Sequence, residues 1–580
     1  MSGRCWLVTA VALVLLAVWG TGCRTDPDPA VREDPEAALP APYFVDIAAQ
    51  VGLQDTIRSG TREKRFLVEA KGGAAAALLD FDGDGRLDIY TLNGSQLNLT
   101  PEENPRHNYL YRNDGERFVE IARQAGVAHR GWGMGVSAAD YNNNGHKDIH
   151  VANYGPNAFY RNNGDGTFTE IAAPIGLADS SWSTGSAFAD FNLNGLLDLY
   201  VANYVQFDVH TRPRDEQMYM WKGIYVLRGP MGLPAAPDRL YRNQGDGTFV
   251  DITGAYGITA PAPSYGFTPV WADLSRNGYP ELVVANDSKP NFLFRYDGED
   301  GFSEVAGPAG VAFNRDGRAQ AGMGCAVADF DGDGWQDIFF THFSDDSNTL
   351  YRNDTGRYGG ELFFTDITYP AGVGEASWSK VGWGTGFIDY DHDGYLDLFV
   401  ANGHVYPEVD RYDIGTTYAQ RNQFFRNTGG DFVEITDRLG AGMAVRKVSR
   451  GAAFGDLNGD GRLDIYVANQ DDTPTLLRNQ GPVGNWLAVQ PVGVRGNRDG
   501  IGAMVRVVAD GHEQVREVRS GDSFLSCSAQ RVHFGLGPSE VAALVEVRWP
   551  GGAMERYLEV EANRVFTIVE GGGLPGGGSR

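Results

Sequence analysis

The chain has 580 residues, 75 of them acidic and 49 basic, and a formal charge of −26. That sign repels phosphate backbones and excludes nucleic acid as a partner. With 77 glycines and 12% aromatic residues, the composition excludes a disordered polymer and fits a turn-dense all-β protein.

The N-terminus reads as a targeting segment. Arg4 supplies a positive charge, Trp6 to Trp19 is apolar, and Gly20-Thr21-Gly22-Cys23 follows. The run is short for a bilayer span and ends in small residues, so residues 1–22 are expected to be a signal peptide. Cys23 after Gly-Thr-Gly resembles a bacterial lipobox, with Gly20 where Leu is usual, and is the candidate lipidation site. The implied location is the cell envelope or surface, with the membrane touched only through a lipid anchor. Residues 23–42, rich in Pro, Asp, Glu and Ala, read as a flexible tether. Beyond Cys23 only Cys325 and Cys527 remain, so no disulfide framework is expected.

From residue 43 a repeat takes over. The nine-residue pattern D-x-[DNS]-x-[DN]-G-x-x-[DE] occurs seven times. Its oxygen-bearing positions 1, 3, 5 and 9 are Asp80, Asp82, Asp84, Asp88 in the first copy and Asp140, Asn142, Asn144, Asp148 in the second. The third has Asp190, Asn192, Asn194, Asp198, and the fourth Asp273, Ser275, Asn277, Glu281. The fifth has Asp329, Asp331, Asp333, Asp337, the sixth Asp389, Asp391, Asp393, Asp397, and the seventh Asp456, Asn458, Asp460, Asp464. Small and apolar residues precede each loop, and a β-branched alternating run follows. A segment like Leu240 to Asn243 and one like Phe168 to Ile171 complete four strands per unit. A four-stranded sheet cannot bury both faces alone, so seven such units predict a seven-bladed β-propeller over 43–483. Phe44-Val45-Asp46-Ile47 is an unattached copy of the fourth strand, and the last unit lacks one. The N-terminal copy is expected to complete that unit and clasp the ring.

Calcium takes six to eight oxygen ligands, and these loops offer side-chain oxygens at four positions. Gly at position 6 supplies the left-handed turn. Asp, Asn and Gly alone would also make turns, but turn-making does not require an acid at position 9 in all seven copies. Up to seven calcium ions are expected, with the weakest site at the Asp273 loop, which departs furthest from the pattern.

Residues 484–570 form a second β unit. Val505, Val507 and Ala509 alternate, as do Val545, Val547 and Trp549. Arg516, Arg519, Arg531 and His533 make it locally basic. They read as a solvated face or a dock on the acidic propeller, with an anion site as the alternative. Residues 571–580 read as a disordered tail.

The chain resembles the FG-GAP/VCBS repeat propellers, including the integrin α-subunit head, through loops such as Asp329 to Asp337. Asn485-Trp486-Leu487, Asn497 to Gly502, Val515 to Gly521, His533 to Gly537 and Val547 to Gly551 resemble the ASPIC/UnbV domain. Together they are similar to the bacterial branch of the cartilage acidic protein 1-like family. The resemblance implies an integrin-like propeller followed by a small β-sandwich-like domain, calcium binding and an extracellular setting.

No nucleophile elbow, HExxH or phosphate-cradling loop is present. His342 stands where the other six units have Asn93, Asn153, Asn203, Asn286, Asn402 and Asn469. This ring reads as a site at a channel mouth or as turn-capping by Asn side chains. The segment Tyr204 to Arg239 is a long connection carrying Tyr219, Trp221, Tyr225 and Met231. It belongs to the rim opposite the acidic loops, and Trp221 and Tyr225 are candidate ligand-binding residues there. The alternative is that it folds over the channel mouth or packs against the C-terminal domain, burying those aromatics. The function expected is a binding, adhesion or scaffold lipoprotein with an extracellular protein or glycan as partner. The alternative is a polysaccharide-active lyase or hydrolase on the same scaffold.

Overall fold

The computed structural model describes residues 43–97, 99–208, 218–258 and 264–575. The expected signal peptide, Cys23 and the tether lie outside the described residues. Seven four-stranded antiparallel sheets follow one another along the chain, and their first strands contact one another in a closed ring. In the first sheet the strands are Ala76–Leu79, Asp88–Thr91, Tyr109–Asn113 and Phe118–Glu120. In the last they are Ser449–Gly455, Asp464–Asn469 and Thr475–Asn479, completed by Phe44–Asp46 from the N-terminus. Phe44 pairs with Asn479 and Asp46 with Leu477, so the expected clasp closes the ring.

Small residues in the inner strands allow the blades to converge. A Cβ on Gly135 would lie 2.1 Å from the Thr184 carbonyl oxygen of the next blade, and one on Gly324 only 2.0 Å from that of Trp383. Blade four solves the same approach differently, with the Thr268 hydroxyl donating to the Met323 carbonyl at 2.7 Å. Large apolar residues then fill the wedges between blades farther from the axis, as with Phe191, Trp271, Phe294 and Phe302.

The C-terminal unit is a β-sandwich. One sheet holds Val532–Gly537, Asn485–Val492 and Arg564–Val569. The other holds His512–Glu517, Met504–Ala509, Val541–Arg548, Met554–Glu561 and Leu574–Pro575. Val505, Val507, Ala509, Val545, Val547 and Trp549 are buried between the sheets, on the face their alternation predicts. The tail departs from expectation. Residues 571–575 are ordered, because Glu555 accepts the N–H groups of Gly571 and Gly573 and the short strand pairs with Glu555 and Arg556. Residues 576–580 lie outside the described residues.

This sandwich sits on the acidic-loop rim of the propeller and sends residues 521–529 down the central channel. Ser523 exchanges two backbone hydrogen bonds with Cys325, at 2.7 and 2.9 Å. Val136 donates to the Leu525 carbonyl, Leu78 to that of Cys527, and Ala529 donates to Phe454. Phe524 is fully buried between the rings of Trp383 and Phe267, at 4.7 and 5.6 Å. The inner strands' axis-facing edges present unpaired N–H and C=O groups, and the plug satisfies them. From the opposite end the short helix Leu67–Lys71 enters, and Lys71 pairs with Asp287 at 3.0 Å. Cys325 and Cys527 are free and buried along this axis.

Candidate metal centres

Each of the seven loops connects the first strand of a blade to the second, and all are built by the same hydrogen bonds. The first-position Asp accepts the N–H of the sixth-position Gly in all seven copies, at 2.6 to 3.1 Å. The fifth-position oxygen accepts the N–H of the seventh residue, at 2.8 or 2.9 Å. The sixth-position Gly is left-handed throughout, as Gly85 (φ 89°) and Gly394 (φ 93°) illustrate. Position 4 is left-handed as well, in Gly83, Gly332 and Gly459 but also in Asn143, Leu193, Arg276 and His392. No pattern at that position announces it. The fold holds four side-chain-bearing residues there at a cost of about 1–2 kcal/mol each.

These bonds curl the loops so that carboxylates converge. Asp80, Asp82 and Asp88 bring ligand oxygens within 4.8 Å of one another, as do Asp329, Asp331, Asp333 and Asp389, Asp391, Asp397. Asp329 Oδ1, Asp389 Oδ1 and Asp198 Oδ2 are buried without a hydrogen-bond partner. Converging buried oxygens that lack donors match the needs of a hard cation with oxygen ligands. Loops five and six fit calcium on both counts, and loop one by the convergence of its carboxylates alone. Loops two, three and seven carry fewer carboxylates and more amides. In loop seven Arg462 pairs with Asp460 at 3.1 Å and Arg478 with Asp464 at 3.3 Å.

The ninth-position acid is also a structural hub, which sequence reasoning missed. Its Oδ1 accepts the N–H of an Asn ending the third strand in six blades: Asn113, Asn162, Asn243, Asn353, Asn427 and Asn479. The same Asn amide reaches the second-position carbonyl of a neighbouring loop, as Asn353 does to Leu274 at 3.0 Å. Recurrence of Asn after Leu-Tyr-Arg was the available signal. In blade four the position is Tyr296.

Burial without a cation pushes these acids toward the neutral form. Asp88, Asp148 and Asp464 are raised to about 8 by desolvation, and Asp198, Asp337 and Asp397 are also pushed well above the usual carboxylate range by burial. Raised native pKa values mean that the metal-free fold retains protons the unfolded chain has released. Its stability is then greatest near the unfolded carboxylate range and falls as pH rises toward 8. For metal-stripped protein we expect a lower urea midpoint at pH 8 than at pH 5, with the difference shrinking when calcium is restored. A metal-free midpoint that rises between those pH values would contradict this account.

The basic residues of the C-terminal unit divide. Arg519 donates to the Val327 carbonyl at 2.6 Å, and the His533 ring meets the Gly461 carbonyl at 2.8 Å. Arg516 lies buried near Asp329 and Asp389. These three serve the docking reading. Arg531 stays within its own unit, reaching Gln490 at 3.4 Å. Lys147 of loop two pairs with Asp499, which also accepts the Asp140 N–H at 2.7 Å.

On the opposite rim the six Asn side chains are buried and bond local backbone, as Asn286 does to the Pro290 carbonyl at 2.8 Å. His342 is 1% exposed and neither ring nitrogen has a partner, so it meets no solvent-borne ligand in this conformation. In the blade-three connection, strands Met218–Trp221 and Ile224–Leu227 form a hairpin over the channel mouth. Trp221 packs against Phe343, His404 and Tyr406 with centroids 5.5 to 5.9 Å apart. Tyr225 is 65% exposed, opposite exposed Met220 in the hairpin, and Met231 farther along the connection is exposed too. The hairpin thus covers the mouth and buries one side of Trp221, as the covering alternative expected, and it leaves Tyr225 and Met220 exposed.

Comparison with known proteins agrees with this architecture. A model described as FG-GAP-like repeat matches residues 80–151, 140–201, 226–284, 273–340, 329–400 and 411–467, and one described as ASPIC and UnbV matches 493–575. Cartilage acidic protein 1 of Homo sapiens is 29% identical over 306 residues, half of this chain and 42% of that protein. The Xenopus tropicalis protein is 27% identical over 305 residues, again half of this chain and 42% of its own length. The aligned stretch thus spans less than half of these relatives. Among solved structures, an Agrocybe aegerita lectin that recognises non-reducing terminal N-acetylglucosamine is similar at 18% identity and a TM-score of 0.34, over 62% of this chain and 79% of that one. YCF48 bound to D1 peptide is similar at 10% identity and 0.38, over 77% and 100%. Scores of this size carry no functional argument. On the repeats, their loops and the C-terminal domain together, the chain belongs to the FG-GAP-like repeat proteins that carry an ASPIC and UnbV domain, the family of cartilage acidic protein 1.

Proposed function

We propose that this protein is an extracytoplasmic, calcium-binding scaffold that recognises an extracellular protein or glycan on the rim opposite its acidic loops. The observation that carries this reading is the arrangement of the two faces. The acidic-loop rim is occupied by the protein's own C-terminal domain, and the channel is filled. The opposite rim bears the long connections, including the hairpin with exposed Met220 and Tyr225. Exposed aromatic and Met side chains on a rigid scaffold suit adaptable recognition. A lipid on Cys23 would hold the protein at a membrane surface, and no helix among the described residues is long and apolar enough to cross one.

The test is a screen of the mature chain against glycan arrays and surface-protein extracts, with product analysis of every glycan that binds. For any ligand found, Tyr225→Ala is expected to weaken binding at least tenfold, the measure of a hot spot worth about 1.4 kcal/mol or more. Calcium-dependent melting should be unchanged in that variant. Trp221→Ala should weaken binding too, but with some loss of stability, because its ring packs on Phe343, His404 and Tyr406. Full affinity in Tyr225→Ala would move the site elsewhere, and turnover of a bound glycan would replace the scaffold reading with an enzymatic one.

A further inference from the structure

The fourth loop differs from the other six in what fills it. Its two carboxylates are already engaged within the protein. Glu281 is one methylene longer than the Asp found at position 9 elsewhere, and it reaches back into the loop. Its Oε2 accepts the N–H groups of Leu274 and Ser275, at 2.8 and 3.1 Å. Its Oε1 accepts the Ser275 hydroxyl at 2.6 Å. The third- and ninth-position oxygens are thus spent on each other. The first-position carboxylate is engaged from outside the propeller. The Arg548 guanidinium, at the end of strand Val541–Arg548, donates through Nη2 to Asp273 Oδ2, which also accepts the Gly278 N–H. No other first-position Asp among the described residues has a guanidinium or ammonium ion pair. Glu517 of the C-terminal domain accepts the Asp273 N–H at 3.3 Å, so that domain grips the loop at two points. Asp273 Oδ1 remains without a partner. The equally open oxygens of Asp329 and Asp389 converge with two further carboxylates of their own loops; Asp273 has only Glu281 in its loop, and that is turned onto Leu274 and Ser275.

We propose that the fourth loop is a clasp for the C-terminal domain and holds no calcium, with Arg548 supplying the positive charge that a cation supplies elsewhere. The loop kept its curl, since Gly278 and Arg276 have the same left-handed backbone as their counterparts. What changed is the charge it receives: a fixed guanidinium that pairs with one carboxylate and is directional. The protein then has at most six cation loops, and Arg548–Asp273 joins Lys147–Asp499 as an ionic contact tying its two domains together. That contact is independent of calcium, whereas the remaining loops are not.

This deepens the calcium reading, and the experiment has two arms that fail separately. In the first, bound calcium is counted by native mass spectrometry on the mature chain and on Asp273→Asn, with folding of both checked by circular dichroism. Equal counts are expected, and a count lower by one in Asp273→Asn overturns the proposal. In the second, hydrogen exchange is followed in metal-free protein. Asp273→Asn and Arg548→Met should each speed exchange in residues 541–556 about tenfold, by releasing the contact that orders this edge. Unchanged exchange in both variants overturns the clasp. A wild-type protein that binds no calcium would defeat the calcium reading, and the exchange arm would still decide the clasp.

Discussion

Removing calcium should lower the melting midpoint more than any single surface substitution, and restoring millimolar calcium should recover it. Among the described residues there is no disulfide to hold the ring, and the cysteines are free. Loops one, five and six instead gather carboxylates within 4.8 Å of one another, which repel until a cation joins them. A ligand that binds only the folded state stabilises it by mass action, about 2.7 kcal/mol per site at a hundredfold excess over Kd. Two such loops would already contribute about 5 kcal/mol on that scale. The loops should not respond equally. Asp331→Ala removes a charged ligand from a four-carboxylate loop and is expected to lose one ion by calorimetric titration. Ser275→Ala, in the loop held by Arg548, is expected to lose none. A midpoint indifferent to chelator, or equal losses in the two variants, would defeat the assignment.

The second large effect is expected at the plug. Phe524→Ala should destabilise the whole protein by about 3–5 kcal/mol, the range for emptying a buried phenyl site. The ring is fully buried near the axis, between Phe267 of blade four and Trp383 of blade six. Collapse around the cavity is resisted because every inner strand is held by its neighbours and the glycines leave no slack. The loss should also loosen the C-terminal domain, leaving it held by the plug's backbone hydrogen bonds and the polar contacts around Arg519, His533, Asp499 and Arg548. Urea denaturation measures the first effect, and limited proteolysis near residues 480–484 the second. A Phe524→Ala protein with wild-type stability and an uncleaved junction would show that the plug is dispensable.

Much of this molecule was legible in its residues. Loop chemistry is local: Asp, Asn and Gly at fixed spacing build the same hydrogen bonds wherever they occur, so the seven loops and their four-stranded units could be read directly. Closure of the ring was legible because Phe44 to Ile47 is an orphan copy of a strand the last blade lacks. The alternating valines of the C-terminal unit named its core face for the same reason, since a strand's side chains alternate with period two. Three things were decided only by the tertiary structure, and each involves residues far apart in the chain. Residues 521–529 carry no pattern that marks a plug, because they serve edges belonging to other blades. His342 looked like a mouth residue by its place in the ring of Asn, yet packing buries it. The fourth loop could be seen to be poor in carboxylates, but not what engages it, because its positive partner is Arg548, 275 residues downstream. Short-range spacing determines what a loop can bind, and the long-range arrangement of domains determines what reaches it.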